Sequence, residues 1–238
     1  MTETTTPGGR ERLERDVETV LRTLPSMGRV MIAANRLGAT HERIGVVETV
    51  TTQDGWVVQR GAEHDSAVEA DAVRQIIVDR TGRMGDKAYP RIDFMAEGGV
   101  ALFSVVGFDG LEPFDAALAP LGAGAPVEAK PDEPRGERGE AGEDDPGGQL
   151  LHEALVRGDE VAIGFRRPGF RQVWRGRLEA VKPAMGFINV IRPDFHLHLK
   201  AGSVARWTEA GSELRAVGHD GVEIGLVLAQ APFAESFR

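Results

Sequence analysis

The second half of the chain can be laid over the first by a shift of 131 positions. Val30 then meets Val161, Ile32 meets Ile163, Arg36 meets Arg167 and Gly38 meets Gly169. Gly45 meets Gly176, Glu48 meets Glu179, Val50 meets Val181 and Gly55 meets Gly186, and the match continues from Ala70 and Val73 to Ala201 and Val204. After a shorter connection the offset becomes 122, so that Ile92 meets Leu214, Gly99 meets Gly221, Val100 meets Val222, Leu102 meets Ile224 and Val105 meets Val227. The difference is an insertion within 79–91. Coincident glycines carry most weight, because they mark turns that a side chain would obstruct. The chain is therefore read as two copies of a unit of about 85 residues.

Between the copies, 122–148 holds eight acidic and three basic residues, and Val127 is its only large apolar one. Such a stretch buries too little apolar area to offset the ordering of its backbone. The expected organisation is a disordered tail (1–11), a first repeat (12–121), an acidic disordered linker (122–148), a second repeat (149–232) and a short tail (233–238).

Each unit opens with a helix. Leu13, Val17, Val20, Leu21 and Leu24 share one helical face before Pro25, and Leu150, Leu151, Ala154 and Leu155 do the same before Gly158. Strands are expected over 29–34, 40–50, 55–59, 92–95 and 100–106, and over 160–165, 171–181, 186–191, 214–217 and 222–228. A helix or helical turn is expected over 66–78. Gly98–Gly99 and Asp220–Gly221 between apolar runs signal hairpins. Helix then antiparallel meander, twice over, is an α+β fold rather than a βαβ one.

Composition narrows the function. The chain is 41% hydrophobic and 27% charged, as globular proteins are. It has no cysteine, which excludes disulfides, Cys-ligated zinc, iron–sulfur clusters and thiolate nucleophiles. No apolar run approaches the length of a membrane span, and 1–11 has no apolar core of a secretory signal, so a cytoplasmic protein without membrane insertion is expected. A net charge of −9 weighs against nucleic acid as a partner. The phosphate-loop, HExxH, Gly-x-Ser-x-Gly and EF-hand patterns are all missing.

The six histidines are the informative residues. His41 sits on an expected strand, either as a half-exposed strand histidine or as a ligand. In Phe195-His-Leu-His-Leu199, alternation puts both histidines and Lys200 on one face. They form a polar sheet face, or two metal ligands that lack a third. His152 lies on the helix of the second unit, where the first has Leu21; His64 and His219 fall in expected turns, solvated. Tyr89, beside Pro90, reads as a loop anchor within the insertion.

At these residues the sequence resembles a known family. Phe165-Arg-Arg-Pro-Gly169-Phe-Arg-Gln172-Val-Trp-Arg-Gly176, Met185-Gly-Phe-Ile-Asn189, Phe195-His-Leu-His198-Leu199 and Val204-Ala-Arg-Trp207 are similar to the second half of the HemS/ChuS/HmuS haem-utilisation proteins. The run from Val30 to Arg36, with Ala39-Thr-His41-Glu42-Arg-Ile-Gly45, is similar to the family's R-N-x-x-A-V-H-E-x-x-G segment. Smaller relatives, the ChuX/HutX haem-binding proteins, make the same shape by pairing two single units.

The resemblance implies a large antiparallel sheet flanked by helices, in a protein that carries or buffers non-covalent b-type haem. The internal repeat suggests a monomer, since two units in one chain can complete that sheet. It implies a haem importer or reductase as a further partner. His41 occupies the position of a family axial ligand, with iron as its metal, and His198 matches the family's F-x-L-H-L histidine. Two alternatives accompany this reading: an enzyme that degrades haem oxidatively, and a scaffold or regulatory module that has the fold without haem. Three family features are missing, one being the N-terminal helical extension of the first unit. The acidic linker replaces a helical region with a V-H-x-F-F histidine, and a family arginine aligns near Asp65-Ser-Ala67-Val68, where no arginine stands.

Overall fold

The computed structural model describes residues 9–128, 142 and 144–230. The first half supplies β1 (Arg10–Leu13), α1 (Val17–Leu21), β2 (Arg29–Arg36), β3 (Ala39–Val46), β4 (Thr49–Gln53), β5 (Trp56–Arg60), β6 (Asp65–Glu69), β7 (Gln75–Asp79), β8 (Arg83–Met84), β9 (Lys87–Ala88), β10 (Arg91–Met95), β11 (Ala101–Gly107), α2 (Leu111–Leu118) and β12 (Ala125–Pro126). The second half supplies α3 (Pro146–Arg157), β13 (Glu160–Arg167), β14 (Phe170–Arg177), β15 (Lys182–Ala184), β16 (Phe187–Ile191), β17 (Phe195–Lys200), β18 (Arg206–Ala210), β19 (Glu213–Val217) and β20 (Glu223–Gln230).

Two large antiparallel sheets result, with few helices. The ten-stranded sheet runs β12-β1-β7-β10-β11-β2-β3-β17-β16-β15, and the eight-stranded sheet runs β18-β19-β20-β13-β14-β6-β5-β4. The hairpin β2–β3 pairs Val30 with Gly45 and Arg36 with Ala39. The hairpin β13–β14 pairs Val161 with Gly176 and Arg167 with Phe170, which is the same register 131 positions on. Beside each hairpin lie three strands of the other half: β17 pairs with β3 through Ala39 and Leu199, and β6 pairs with β14 through Phe170 and Val68. Neither half is therefore the single unbroken meander expected from its sequence. Each sends three strands across to finish the other's sheet, and this shields edges that would otherwise be open.

The alternation of the strands explains the layering. Val30, Ile32 and Ala34 of β2, Phe195, Leu197 and Leu199 of β17, Ile163 and Phe165 of β13, and Ile224, Leu226 and Leu228 of β20 all enter one buried cluster. Phe94, Phe103 and Phe170 stack through it, with centroids 4.3 and 4.8 Å apart.

Several sequence expectations are corrected. The helix expected over 66–78 is strand β6, a short turn and strand β7, because Val68 and the run Ile76-Ile77-Val78 fill strand positions in the core. The apolar face that begins at Leu13 is divided: Leu13 belongs to β1, and only Val17–Leu21 is α-helical. The expected tail over 1–11 overlaps β1, where Glu11 pairs with Val78. Helix α2 falls in a stretch left unassigned by pattern.

The expected linker is ordered at both margins. Ala125 and Pro126 pair with β1, and α3 starts at Pro146. Asp145 caps α3 by accepting from the Gly147 amide at 2.8 Å, and it accepts from Gly202 N at 2.7 Å. A Cβ on Gly147 would lie 2.6 Å from Leu199 Cδ2, so the glycine lets the helix sit directly on β17. The remainder of that linker, 129–141 and 143, and the tail 233–238 lie outside the described residues. Tyr89 meets Phe108 edge-on at 5.5 Å, an anchor as expected. No helix among the described residues is long and apolar enough to cross a membrane.

Candidate functional site

The pleat of β3 divides its polar residues between two environments. His41 points into the core with Ala39, while Glu42 points outward on the opposite face. The His41 ring is fully buried, 4.8 Å from the Phe195 ring and 6.2 Å from Phe165. Its Nε2 lies 2.9 Å from the Ile163 carbonyl oxygen, so Nε2 carries the proton and donates it. Its Nδ1 accepts from Gln172 Nε2 at 2.8 Å, and the same amide donates to the carbonyls of His41 (2.8 Å) and Ile32 (3.3 Å). Those two carbonyls fix which way the amide points, because a flipped oxygen would face them.

Residues 41 and 172 are partners under the 131 shift, as are residues 32 and 163. Each reaches across to a main-chain carbonyl of the other half, so the pair joins the two sheets at equivalent points. Burial holds the imidazole down at about 3, well below the ordinary histidine range, and keeps it neutral.

His41 therefore does not fit the ligand role expected for it. Iron needs a nitrogen lone pair; one nitrogen bears a proton and the other is occupied by Gln172. A porphyrin could reach it only by opening the core. His64, expected to be solvated, is also buried, and burial holds it down at about 4. His219 is exposed as expected, and His152 lies on α3 within 3.2 Å of the Gly148 carbonyl.

The outward face of the ten-stranded sheet carries a different set. Register places Glu42 directly opposite His196, and Thr40 opposite His198. His196 Nδ1 is 3.1 Å from Glu42 Oε2 and donates to it, which leaves Nε2 with no partner among the described residues. His198 Nδ1 is 2.7 Å from Asn189 Oδ1. The Asn189 amide is held by the carbonyls of Lys182, Ala184 and Phe187, so its oxygen faces the ring and His198 Nδ1 carries the proton. The lone pair of His198 Nε2 then faces Glu42 Oε2 at 3.8 Å.

The side chains of Glu42, His196 and His198 are 15, 26 and 34% exposed, so solutes can approach them. Burial alone would raise the Glu42 carboxyl, but the two imidazoles outweigh it and hold it down at about 2. Around them lie Phe187, edge-on to His198 at 6.4 Å, Ile191 at 55% exposure, and the exposed Lys182 and Lys200. Pattern alone found both histidines but missed Glu42, which lies 154 residues from His196 and meets it only through the β3–β17 pairing.

For haem, the residues of this face fit and His41 does not. A half-exposed imidazole whose Nδ1–H is held by a carboxylate or amide oxygen is a suitable iron ligand through Nε2. Open clefts of about 730, 490 and 440 Å³ lie elsewhere, and none is lined by His41, His196 or His198.

Neither a family model nor a curated protein matches the sequence. Solved structures do match the fold. ChuS, described as an E. coli heme oxygenase, superposes with a TM-score of 0.75 at 18% identity, over 95% of this chain and 84% of that one. Holo-PhuS, described as a heme-binding protein from Pseudomonas aeruginosa, gives 0.75 at 15% identity, over 95% of this chain and 82% of that one. Through nearly its whole length, the chain has the fold of ChuS and PhuS.

Proposed function

We propose that the protein binds haem on the outward face of the ten-stranded sheet and carries or buffers it, with His196 or His198 rather than His41 as the axial ligand. One observation carries this reading: two neighbouring half-exposed imidazoles, each with Nδ1 fixed by an oxygen acceptor, in a fold shared with two haem proteins. The 131 shift adds support. It matches 65–68, where the family arginine aligns, to 196–199 on the neighbouring half. Phe187 and Ile191 offer apolar cover for a flat macrocycle, and Lys182 and Lys200 offer charge to its carboxylates. Bound there, the group would supply a redox-active iron centre. With no cysteine to form thioethers, attachment is non-covalent and of b type. A cytoplasmic monomer exchanging haem with an importer or reductase belongs to the same reading.

A second reading is favoured by the engaged His41 nitrogens: a scaffold or regulatory module on this fold that takes no haem. Hemin titration followed by absorption separates the two. The haem reading expects a sharp Soret band at one equivalent, lost in the double variant His196→Ala/His198→Ala and kept in His41→Gln. Weak association indifferent to all three substitutions would establish the second reading.

A further inference from the structure

We propose that Glu42, His196 and His198 form a mononuclear site for a divalent first-row metal ion, zinc being the best suited. This goes beyond the haem reading, because a porphyrin itself supplies four ligands to its iron, whereas a bare ion must take its ligands from the protein and solvent. The three ligand atoms all lie within 4.8 Å of one another. Metal bonds of about 2.1 Å place tetrahedral ligand atoms about 3.4 Å apart. Two of the distances already bracket that value: 3.1 Å from His196 Nδ1 to Glu42 Oε2 and 3.8 Å from His198 Nε2 to the same oxygen. Side-chain rotation on an otherwise fixed sheet closes the rest.

The second observation is electrostatic and comes from the hydrogen bonds. Asn189 holds a proton on His198 Nδ1, so in the neutral ring the Nε2 lone pair faces a carboxylate oxygen. In that state two acceptors oppose each other, and a cation between them, a proton on Nε2 or a metal ion, converts the opposition into attraction. The surroundings suit an ion. Asn189 is an outer partner of the kind that orients metal-bound imidazoles, and it is itself held by three carbonyls. Two imidazoles and one carboxylate match the preferences of Zn²⁺, Fe²⁺ and Co²⁺, and exposure of both histidines leaves a fourth position for water. On binding, the His196 ring changes tautomer, its proton passing by way of solvent from Nδ1 to Nε2, so that Nδ1 offers its lone pair to the ion and Glu42 changes from hydrogen-bond acceptor to ligand.

The test is calorimetric titration of chelator-treated full-length protein with zinc chloride. One ion per chain is expected, weakened more than about tenfold by each of Glu42→Gln, His196→Ala and His198→Ala, roughly tenfold by Asn189→Ala, and not at all by His219→Ala. In the wild-type chain, imidazole nitrogen resonances read the site without any variant: zinc should move those of His196 and His198 and leave the other four histidines unchanged. Co²⁺ should develop a visible absorption band that Glu42→Gln removes. Zinc titration without hemin and hemin titration without zinc, both on the wild-type chain, keep the two readings apart, since each can fail while the other succeeds. Absence of stoichiometric zinc binding, or zinc binding of equal strength in Glu42→Gln, or resonances moving at other histidines, would overturn the proposal whatever hemin does.

Discussion

Replacing His41 tests the account of the core most directly. His41→Ala removes a fully buried ring and leaves a cavity between Phe165 and Phe195. Large-to-small core changes of this kind cost about 2–5 kcal/mol. The Ile163 carbonyl also loses its donor and Gln172 loses an acceptor, which adds about 1–2 kcal/mol. A loss of about 3–7 kcal/mol is expected, a large part of a typical domain's stability. His41→Gln places the same side chain at both matched positions and can again donate toward Ile163, so its cost should stay below about 2 kcal/mol.

The pH dependence has a definite sign. Burial lowers the folded value of His41 to about 3, against about 6.5 when unfolded, so between those limits the unfolded chain holds one more proton than the native one. Stability is undiminished above pH 6.5 and is lost as pH falls toward 3, by about 1.4 kcal/mol per pH unit for this group. His64, lowered to about 4 by burial, adds a slope of the same sign that is common to both proteins. Urea denaturation of wild type and His41→Gln from pH 7.5 to 4.5 should therefore give curves that converge as pH falls, the variant lacking one proton of slope. Superimposable slopes, or a His41→Ala protein of unchanged stability that has lost its hemin band, would refute the buried, neutral role of the ring.

Other expectations follow from particular contacts. Arg80 donates to Glu11 at 2.7 Å and to Asp115 at 2.6 Å, and Glu11 also accepts from Gly124 N at 2.8 Å. Glu11→Ala should cost about 2–3 kcal/mol in chemical denaturation, the low end for a buried pair because Asp115 remains and is partly exposed; no effect would mean that β1 is not docked. Asp145→Ala removes the cap of α3 and the tie to Gly202, and should lower stability by about 1–2 kcal/mol, read as a shift in thermal midpoint. Gly225 sits at φ +95° and a Cβ there would lie 2.4 Å from the Arg166 carbonyl, so Gly225→Ala should destabilise by more than about 2 kcal/mol.

Much of the architecture is local in origin and legible as pattern. The coincident glycines mark the turns of two hairpins whose registers agree at the shift, and Gly38 and Gly169 both have positive φ. Alternation in Phe195–Leu199 correctly sorts leucines from histidines, because a pleated strand has only two faces. The same alternation is silent on which face of β3 is the core. His41 and Arg43 lie on one side, Glu42 and Ile44 on the other, and each side mixes polar with apolar residues. Burial of His41 became possible only because Gln172 and the Ile163 carbonyl arrive from the other half to satisfy both its nitrogens.

By itself, then, the order of residues determined the paired units, most strand segments and which residues of β17 face outward, since these depend on neighbours along the chain. Tertiary structure alone decided that each half completes the other's sheet, that His41 and His64 are buried, and that a glutamate meets two distant histidines outside. Strand pairing is a choice among remote partners made by burial of the whole surface, and no short stretch of sequence encodes that choice.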